Sequence, residues 1–146
     1  MRSRSKGFTL VELLIVVAIV GIISAIAIPN LMNAVDKGKQ KRTMSDLRAI
    51  GSAVEVYAIE NATYPTASTV AAIKALIDPS YIKHMPSEDG WSHTIQVDAS
   101  PSGYTLYSRG KDNVGNSCPP GTTSNFNDEI CFVNGQFQRF PMGPQQ

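Results

Sequence analysis

The sequence has 146 residues, of which 42% are apolar and 17% are charged, and its formal net charge is +1. The length indicates one domain, and the composition excludes a disordered chain and a disulfide-rich mini-protein, because only two cysteines are present. A net charge so close to zero gives no general attraction for nucleic acid. The apolar residues are concentrated in one stretch near the amino terminus, which excludes a membrane protein with several spans.

That apolar stretch covers residues 13–35, which contain no charged side chain. As a helix it would be about 35 Å long, enough to cross the ~30 Å core of a bilayer. Three interpretations compete: a buried core helix, which the rest of the chain is too small to surround; a secretory signal peptide cut after Ala27; and a retained membrane anchor. Glu12 directly precedes this stretch, one helical turn after the apolar Phe8, and an ionised side chain is costly in such surroundings, so it is expected to have a partner.

The residues around Glu12 resemble a known processing signal. The segment Lys6-Gly7-Phe8-Thr9-Leu10-Val11-Glu12 is similar to the class III signal of type IV prepilins and type II secretion pseudopilins. The resemblance implies that prepilin peptidase removes residues 1–7 by cutting after Gly7, that the new amine of Phe8 is methylated, and that the apolar segment is kept. It also implies that the Glu12 carboxylate pairs with this amine during filament assembly.

The resemblance also gives the topology, with the leader in the cytoplasm and the remainder outside. Charge counting alone does not decide the orientation, because a basic cluster follows the apolar run as well. The cluster consists of Lys37, Lys39, Lys41 and Arg42. We expect it to form a solvated helix face near lipid headgroups and not a DNA-binding site, because four charges alone do not support one.

Beyond Pro29 the pattern predicts an amphipathic helix, since apolar residues recur at steps of three and four. These residues are Met44, Leu47, Ile50, Val54 and Tyr57. Together with the apolar run they predict a nearly continuous helix from Phe8 to Glu60, with a bend or local melting at Pro29. Residues 8–35 would form its transmembrane half, and residues 36–61 its amphipathic half.

Residues 62–146 are predicted to form an α+β head. Helical spacing indicates a short helix over residues 69–77, and strand patterns cover residues 94–97, 104–107, 130–133 and 136–140. Asn134-Gly135 between the last two strands is a strong hairpin signal. The prediction is an antiparallel sheet of three or four strands against the second half of the long helix, which resembles the pilin fold.

Shorter motifs resemble the major pseudopilin of type II secretion, which forms a short filament that drives proteins across the outer membrane. They are Tyr64-Pro65-Thr66, Asp89-Gly90-Trp91 and the segment 107–112. The cysteine pair is more typical of type IV pilins, which form surface fibres for adhesion, twitching motility or DNA uptake. Both functions stay open, and a secreted binding domain cut after Ala27 is a third possibility.

The loop of the head between residues 109 and 129 carries two further predictions. Cys118 and Cys131 are expected to form a disulfide, because the topology places the head in an oxidising compartment. Major pseudopilins bind calcium in the corresponding loop, so the resemblance implies calcium ligands at Asp112, Asp128 and Glu129, whose oxygens suit this ion. The alternative is a solvated polar loop that only the disulfide closes.

The sequence carries no motif for a catalytic nucleophile or a phosphate-binding loop. His84 and His93 fit no zinc spacing with the two cysteines. We therefore expect no enzyme, no organic cofactor and no nucleic-acid partner. The resemblance implies as partners other copies of the chain, prepilin peptidase, an inner-membrane assembly platform, and minor pseudopilins or pilins. It places the protein in the bacterial inner membrane with a periplasmic head, from which it enters a pseudopilus or a pilus.

Overall fold

The computed structural model describes residues 7–145. Its elements are α1 (Leu10–Asn61), α2 (Val70–Ile77), β1 (Gln96–Ser100), β2 (Gly103–Ser108), β3 (Gly121–Thr123), β4 (Ile130–Val133) and β5 (Gln136–Pro141). The chain divides into two compact units between Val35 and Asp36. The architecture is α+β, with a long amino-terminal helix and a small sheet, as the sequence predicted.

Helix α1 continues through Pro29 without interruption. The predicted local melting at this residue is therefore wrong. Proline removes one backbone donor and so one hydrogen bond of the helix. The residues on both sides keep the helical conformation, because one missing bond does not outweigh the intact turns before and after it.

In the second unit, the predicted apolar stripe of α1 packs against the sheet and α2. Leu47, Ile50 and Val54 are fully buried, while Met44 and Tyr57 are partly buried and pack against the same core. The core is completed by apolar side chains of α2, the sheet and the connecting segment, namely Ile73, Ile77, Met85, Ile95, Leu106, Ile130 and Phe132. The prediction of an amphipathic helix against the head is confirmed.

Gly51 allows α1 to approach β4 closely. A Cβ atom at this position would collide with the ring carbons Cε1 and Cδ1 of Phe132, which is itself buried. The carbonyl oxygen of Gly51 accepts a hydrogen bond from the Tyr104 hydroxyl at 3.3 Å. A glycine is thus required here by the distance between helix and sheet.

The sheet has five strands in the order β1-β2-β4-β5-β3. The first four are antiparallel to their neighbours, but β3 pairs with β5 in parallel, so the sheet is mixed. The prediction of an entirely antiparallel sheet with three or four strands was wrong in this respect. Strand β3 has only three residues, Gly121–Thr123, and so little sequence that no alternating pattern can be read from it.

The predicted hairpin between β4 and β5 is confirmed. Asn134 and Gly135 form its turn with φ angles of 46° and 84°, the positive values that a two-residue turn of this kind requires. Helix α2 begins where predicted, because the Thr69 hydroxyl accepts a hydrogen bond from the Ala72 amide at 3.2 Å. Strand β1 lies slightly later than predicted, at Gln96–Ser100.

Candidate functional site

The amino-terminal end of α1 carries the predicted processing and assembly residues. The predicted leader positions 1–6 lie outside the described residues, whereas Gly7, Phe8 and Glu12 lie within them. No atom lies within 4 Å of the position that a Cβ on Gly7 would occupy. Space in this structure therefore does not demand glycine at position 7, and cleavage after this residue stays a prediction.

Thr9 and Glu12 cap the first turn of α1 reciprocally. The backbone amide and the hydroxyl of Thr9 both donate to Oε2 of Glu12 at 2.8 Å, and the Glu12 amide donates to the Thr9 hydroxyl at 3.2 Å. This is the capping-box arrangement. The carboxylate is thus bonded to the amide that directly follows Phe8. The Thr-x-x-Glu pattern before an apolar run is a signal for this cap, and sequence reasoning missed it.

The first unit exposes an apolar surface on all sides of its helix. The large apolar side chains between Phe8 and Val35 are 49–76% exposed. A helix that is apolar all round needs lipid or other protein around it. By length and composition α1 can cross a membrane.

Cys118 and Cys131 form the predicted disulfide, with their Cα atoms 5.8 Å apart. Cys131 lies in β4 and is completely buried. The bond closes a loop that contains β3. A further tie across the loop is the hydrogen bond from the Lys111 amide to the Phe126 carbonyl at 2.8 Å.

The three predicted calcium ligands do not form one site in the part of the chain that is described. Asp128 and Glu129 both contact the guanidinium of Arg139, at 3.1 and 3.2 Å. Asp112 instead accepts a hydrogen bond from the Val114 amide at 3.0 Å within its own turn. Within residues 7–145, no group of three or more His, Cys, Asp or Glu side chains could hold a metal ion. This donor set does not fit calcium, because Asp128 and Glu129 face the positive charge of Arg139 and Asp112 does not join them in one group.

A second cluster, which sequence reasoning missed, joins α1 to the loops of the head. Asp36 is 6% exposed and accepts hydrogen bonds from the Trp91 indole at 3.1 Å and from Lys111 Nζ at 2.8 Å. Burial alone would raise the pKa of Asp36. The hydrogen bonds from Lys111 and Trp91 and the positive charge of Lys111 outweigh burial and hold this pKa below its ordinary value of 3.8.

A neighbouring buried carboxylate organises the loop before β1. Asp89 is 2% exposed, and its Oδ2 accepts from the Ser108 hydroxyl at 2.6 Å. Its Oδ1 accepts from the amides of Trp91 and His93, each at 2.9 Å. The Gly90 amide donates to the Thr43 hydroxyl of α1 at 2.9 Å. Two of the motifs that resembled pseudopilins in sequence, 89–91 and 107–112, thus meet at one place and dock the sheet onto the helix.

Two family models match the sequence. The prokaryotic N-terminal methylation motif matches residues 2–28, and type II secretion system (T2SS) protein G matches residues 30–124. The first match covers the predicted cleavage site and the first part of the apolar run. The second covers the amphipathic half of the helix and the head as far as β3, and it includes more than half of the chain.

Known proteins show the same relationship. Type II secretion system core protein G of Klebsiella michiganensis is 34% identical over 137 residues, covering 83% of this chain and 90% of that protein. Type II secretion system core protein G of Pseudomonas aeruginosa is 32% identical over 126 residues, covering 76% of this chain and 87% of that protein. The crystal structure of the major pseudopilin from the type 2 secretion system of enterohaemorrhagic Escherichia coli is 29% identical, with a TM-score of 0.48, and covers 70% of this chain and 93% of that chain.

The protein G family model and the relatives from Klebsiella michiganensis and Pseudomonas aeruginosa decide between the two families that the sequence left open. The resemblance to pseudopilins is confirmed by the protein G model and by the identity to its members along most of the chain. The chain belongs to the family of type II secretion system protein G.

Proposed function

We propose that this protein is the major pseudopilin of a type II secretion system, a structural subunit that assembles into a filament and is not an enzyme. The observation that carries the proposal is the match to protein G over residues 30–124, directly after a methylation motif over residues 2–28. The exposed apolar surface of residues 8–35 supports it, because a filament core made of neighbouring helices would cover that surface.

In this proposal, prepilin peptidase removes residues 1–7 and methylates the amine of Phe8. The subunit then waits in the inner membrane, with its apolar helix in lipid and its head in the periplasm. The disulfide between Cys118 and Cys131 supports a periplasmic head, because disulfides persist in oxidising compartments. Partners are further copies of the chain, the assembly platform of the inner membrane and minor pseudopilins.

Glu12 favours the assembled filament over the separate subunit in the membrane. Lipid tails are as apolar as the helix, so apolar contact alone provides little preference for the filament over the membrane. The hydrogen bonds that Glu12 accepts from Thr9 both end on Oε2 in the described part of the chain, which leaves Oε1 for another donor. An unpaired amine and an unpaired carboxylate are each costly in lipid, so pairing Glu12 with the Phe8 amine of a neighbour favours the filament.

The proposal is tested by the mass of the processed protein and by secretion. The intact mass of the membrane-extracted chain is expected to correspond to a protein that begins at Phe8 and carries one methyl group. Deletion of the gene in its own host is expected to leave secreted enzymes in the periplasm, and the wild-type gene is expected to restore their export. A mature chain that begins at Ile28 would contradict the proposal, as would normal secretion without the gene.

A further inference from the structure

One guanidinium lies between two neighbouring carboxylates in the head. Arg139 Nη2 lies 3.1 Å from Oδ1 of Asp128, and Nη1 lies 3.2 Å from Oε2 of Glu129. The three side chains are only 13–23% exposed, so water and salt screen their interaction less than at an open surface. The planar fork of arginine presents two donors in fixed directions, which suits it to bridge two carboxylates.

The sheet fixes the position of Arg139 under the disulfide loop. Arg139 belongs to β5, where it is the register partner of Cys131 in β4 and of Gly121 in β3. It therefore sits between two strands and directly beside one cysteine of the disulfide. Because backbone pairing holds β5 on both sides, the guanidinium is presented from a rigid element and not from the loop that it contacts.

The two carboxylates in turn hold two separate segments of the loop. Oδ2 of Asp128 accepts from the amides of Ser124 and Asn125 at 3.2 and 3.4 Å, which fixes the segment after β3. The carboxylate of Glu129 packs so closely on Gly115 that a Cβ there would collide with its Oε1. Arg139 thus neutralises the two side chains that contact both the first and the last part of the loop.

We infer that Arg139 supplies from within the chain the positive charge that a bound metal would otherwise bring to this loop, so that the loop is ordered without calcium. Calcium takes six to eight oxygen ligands. Here Asp128 and Glu129 face a guanidinium, and Asp112 is bonded within its own turn. The inference concerns the ordering of the loop and does not depend on the proposed secretion function.

The test is the thermal unfolding of the full chain in detergent micelles, followed by near-ultraviolet circular dichroism. Each protein is measured with millimolar calcium chloride and with a chelator. The wild-type midpoint is expected to be the same in both, and isothermal titration with calcium is expected to show no binding. These wild-type measurements stand even if a variant does not fold. A wild-type midpoint that rises with calcium would overturn the inference.

Substitutions then test whether Arg139 stabilises the loop by its charge. Arg139→Gln is expected to lower the midpoint in chelator by about 5 °C, because two neighbouring carboxylates lose their counter-ion. Adding Glu129→Gln to this variant is expected to recover part of the loss, since one of the repelling charges is removed. The control is Arg42→Gln, which removes an exposed arginine paired with Asp46 and is expected to change the midpoint little.

Partial recovery of Arg139→Gln by calcium, but not of Arg42→Gln, would support the inference, because the vacated carboxylates then accept a divalent cation. A midpoint for Arg139→Gln equal to that of the wild type would overturn it. So would a loss that neither calcium nor Glu129→Gln reduces, because Arg139 would then stabilise the loop by packing and not by charge.

Discussion

The indole Nε1 of Trp91 donates to Oδ1 of Asp36 across 3.1 Å, so that the head holds a carboxylate of α1. The other oxygen of Asp36 accepts from Lys111 at 2.8 Å. Both donors come from motifs that resembled pseudopilins in sequence without a stated role, namely 89–91 and 107–112. Their role in this structure is to join two loops of the head to one side chain of the helix.

Removal of Lys111 should destabilise the head, because it leaves a buried carboxylate with one donor fewer. We expect Lys111→Met to lower the free energy of unfolding by about 1–3 kcal/mol, the usual cost of an unsatisfied buried group. Urea unfolding of the full chain in detergent measures this. The control is Lys37→Met, which changes an exposed lysine of α1 and is expected to have little effect. Equal losses in the two variants would contradict the role of Lys111.

The ion pair between Asp36 and Lys111 makes the free energy of unfolding depend on pH. The pKa of Asp36 lies below 3.8 in the folded protein, so its contribution is fully present above the unfolded pKa of about 3.8. It is lost as the pH falls through the lower pKa of the folded state. Asp36→Asn should therefore be less stable than the wild type at neutral pH, and the gap should narrow below about pH 4. A constant gap from pH 7 to pH 3 would show that the charge of Asp36 contributes nothing.

Glu12 caps helix α1 together with Thr9, and it is proposed to pair with the Phe8 amine of a neighbouring subunit. Two substitutions separate these roles. Glu12→Gln keeps an oxygen that can accept from Thr9 but removes the charge, while Glu12→Ala removes both. We expect normal cleavage and insertion for both variants, because removing a charge eases insertion. Filament yield should fall at least about tenfold in both, since an amine left unpaired in an apolar site costs more than the ~1.4 kcal/mol that corresponds to this factor.

Filament yield is measured in a strain without the wild-type gene. Thr9→Val serves as the matched variant, because it removes the hydroxyl of the cap and leaves the charge of Glu12 in place. We expect it to retain most of the yield. If Glu12→Gln forms filaments normally while Thr9→Val does not, capping of the helix and not charge pairing is the role of Glu12.

The sequence predicted the elements whose pattern is long or local. The helical period of Leu47, Ile50 and Val54 continues over several turns, and Asn134-Gly135 is a turn signal in two residues. Strand β3 was not predictable, because its three residues pair with β5 through a parallel contact that depends on the rest of the sheet. Such pairing depends on tertiary context and is not expressed in local propensity.

Some residues of the candidate site could likewise be predicted from the sequence, and others could not. The chain has only two cysteines, so sequence alone predicted the disulfide that the structure confirms. Gly7, Phe8 and Glu12 belong to one short motif, and their roles in processing and assembly stay predictions. Arg139 was missed because it lies ten residues after Glu129 along the chain and reaches it only through the β4–β5 pairing. The predicted calcium ligands do not fit calcium for the same reason. The acidic residues could be recognised in the sequence, but their counter-ion Arg139 could not.

The disulfide should stabilise the head measurably. Replacing Cys118 and Cys131 together by serine is expected to lower the free energy of unfolding by about 3 kcal/mol, because the loop that they close gains freedom in the unfolded chain. The comparison is urea unfolding of the wild type under oxidising conditions and after reduction. The reduced wild type should resemble the double variant, which should itself be insensitive to reductant. Identical midpoints for the oxidised and reduced wild type would contradict the prediction.

Alanine substitutions at two glycines of α1 separate the effect of helix propensity on stability from the effect of packing against the sheet. Alanine favours a helix interior over glycine by about 1 kcal/mol. Gly38→Ala should therefore raise the free energy of unfolding by up to about 1 kcal/mol, because nothing lies within 4 Å of the new methyl group. Gly51→Ala gains the same propensity, but its methyl group collides with the buried ring of Phe132.

Overpacking of a core costs about 1–3 kcal/mol, so Gly51→Ala should be less stable than Gly38→Ala by that amount, and less stable than the wild type by up to about 2 kcal/mol after the gain in propensity. Urea unfolding of both variants, followed by near-ultraviolet circular dichroism, gives the two signs directly. Adding Phe132→Leu to Gly51→Ala should recover part of the loss, because the smaller side chain removes the collision, whereas the same addition to Gly38→Ala should only destabilise. If Gly51→Ala is as stable as Gly38→Ala, the close approach between α1 and β4 does not limit the head.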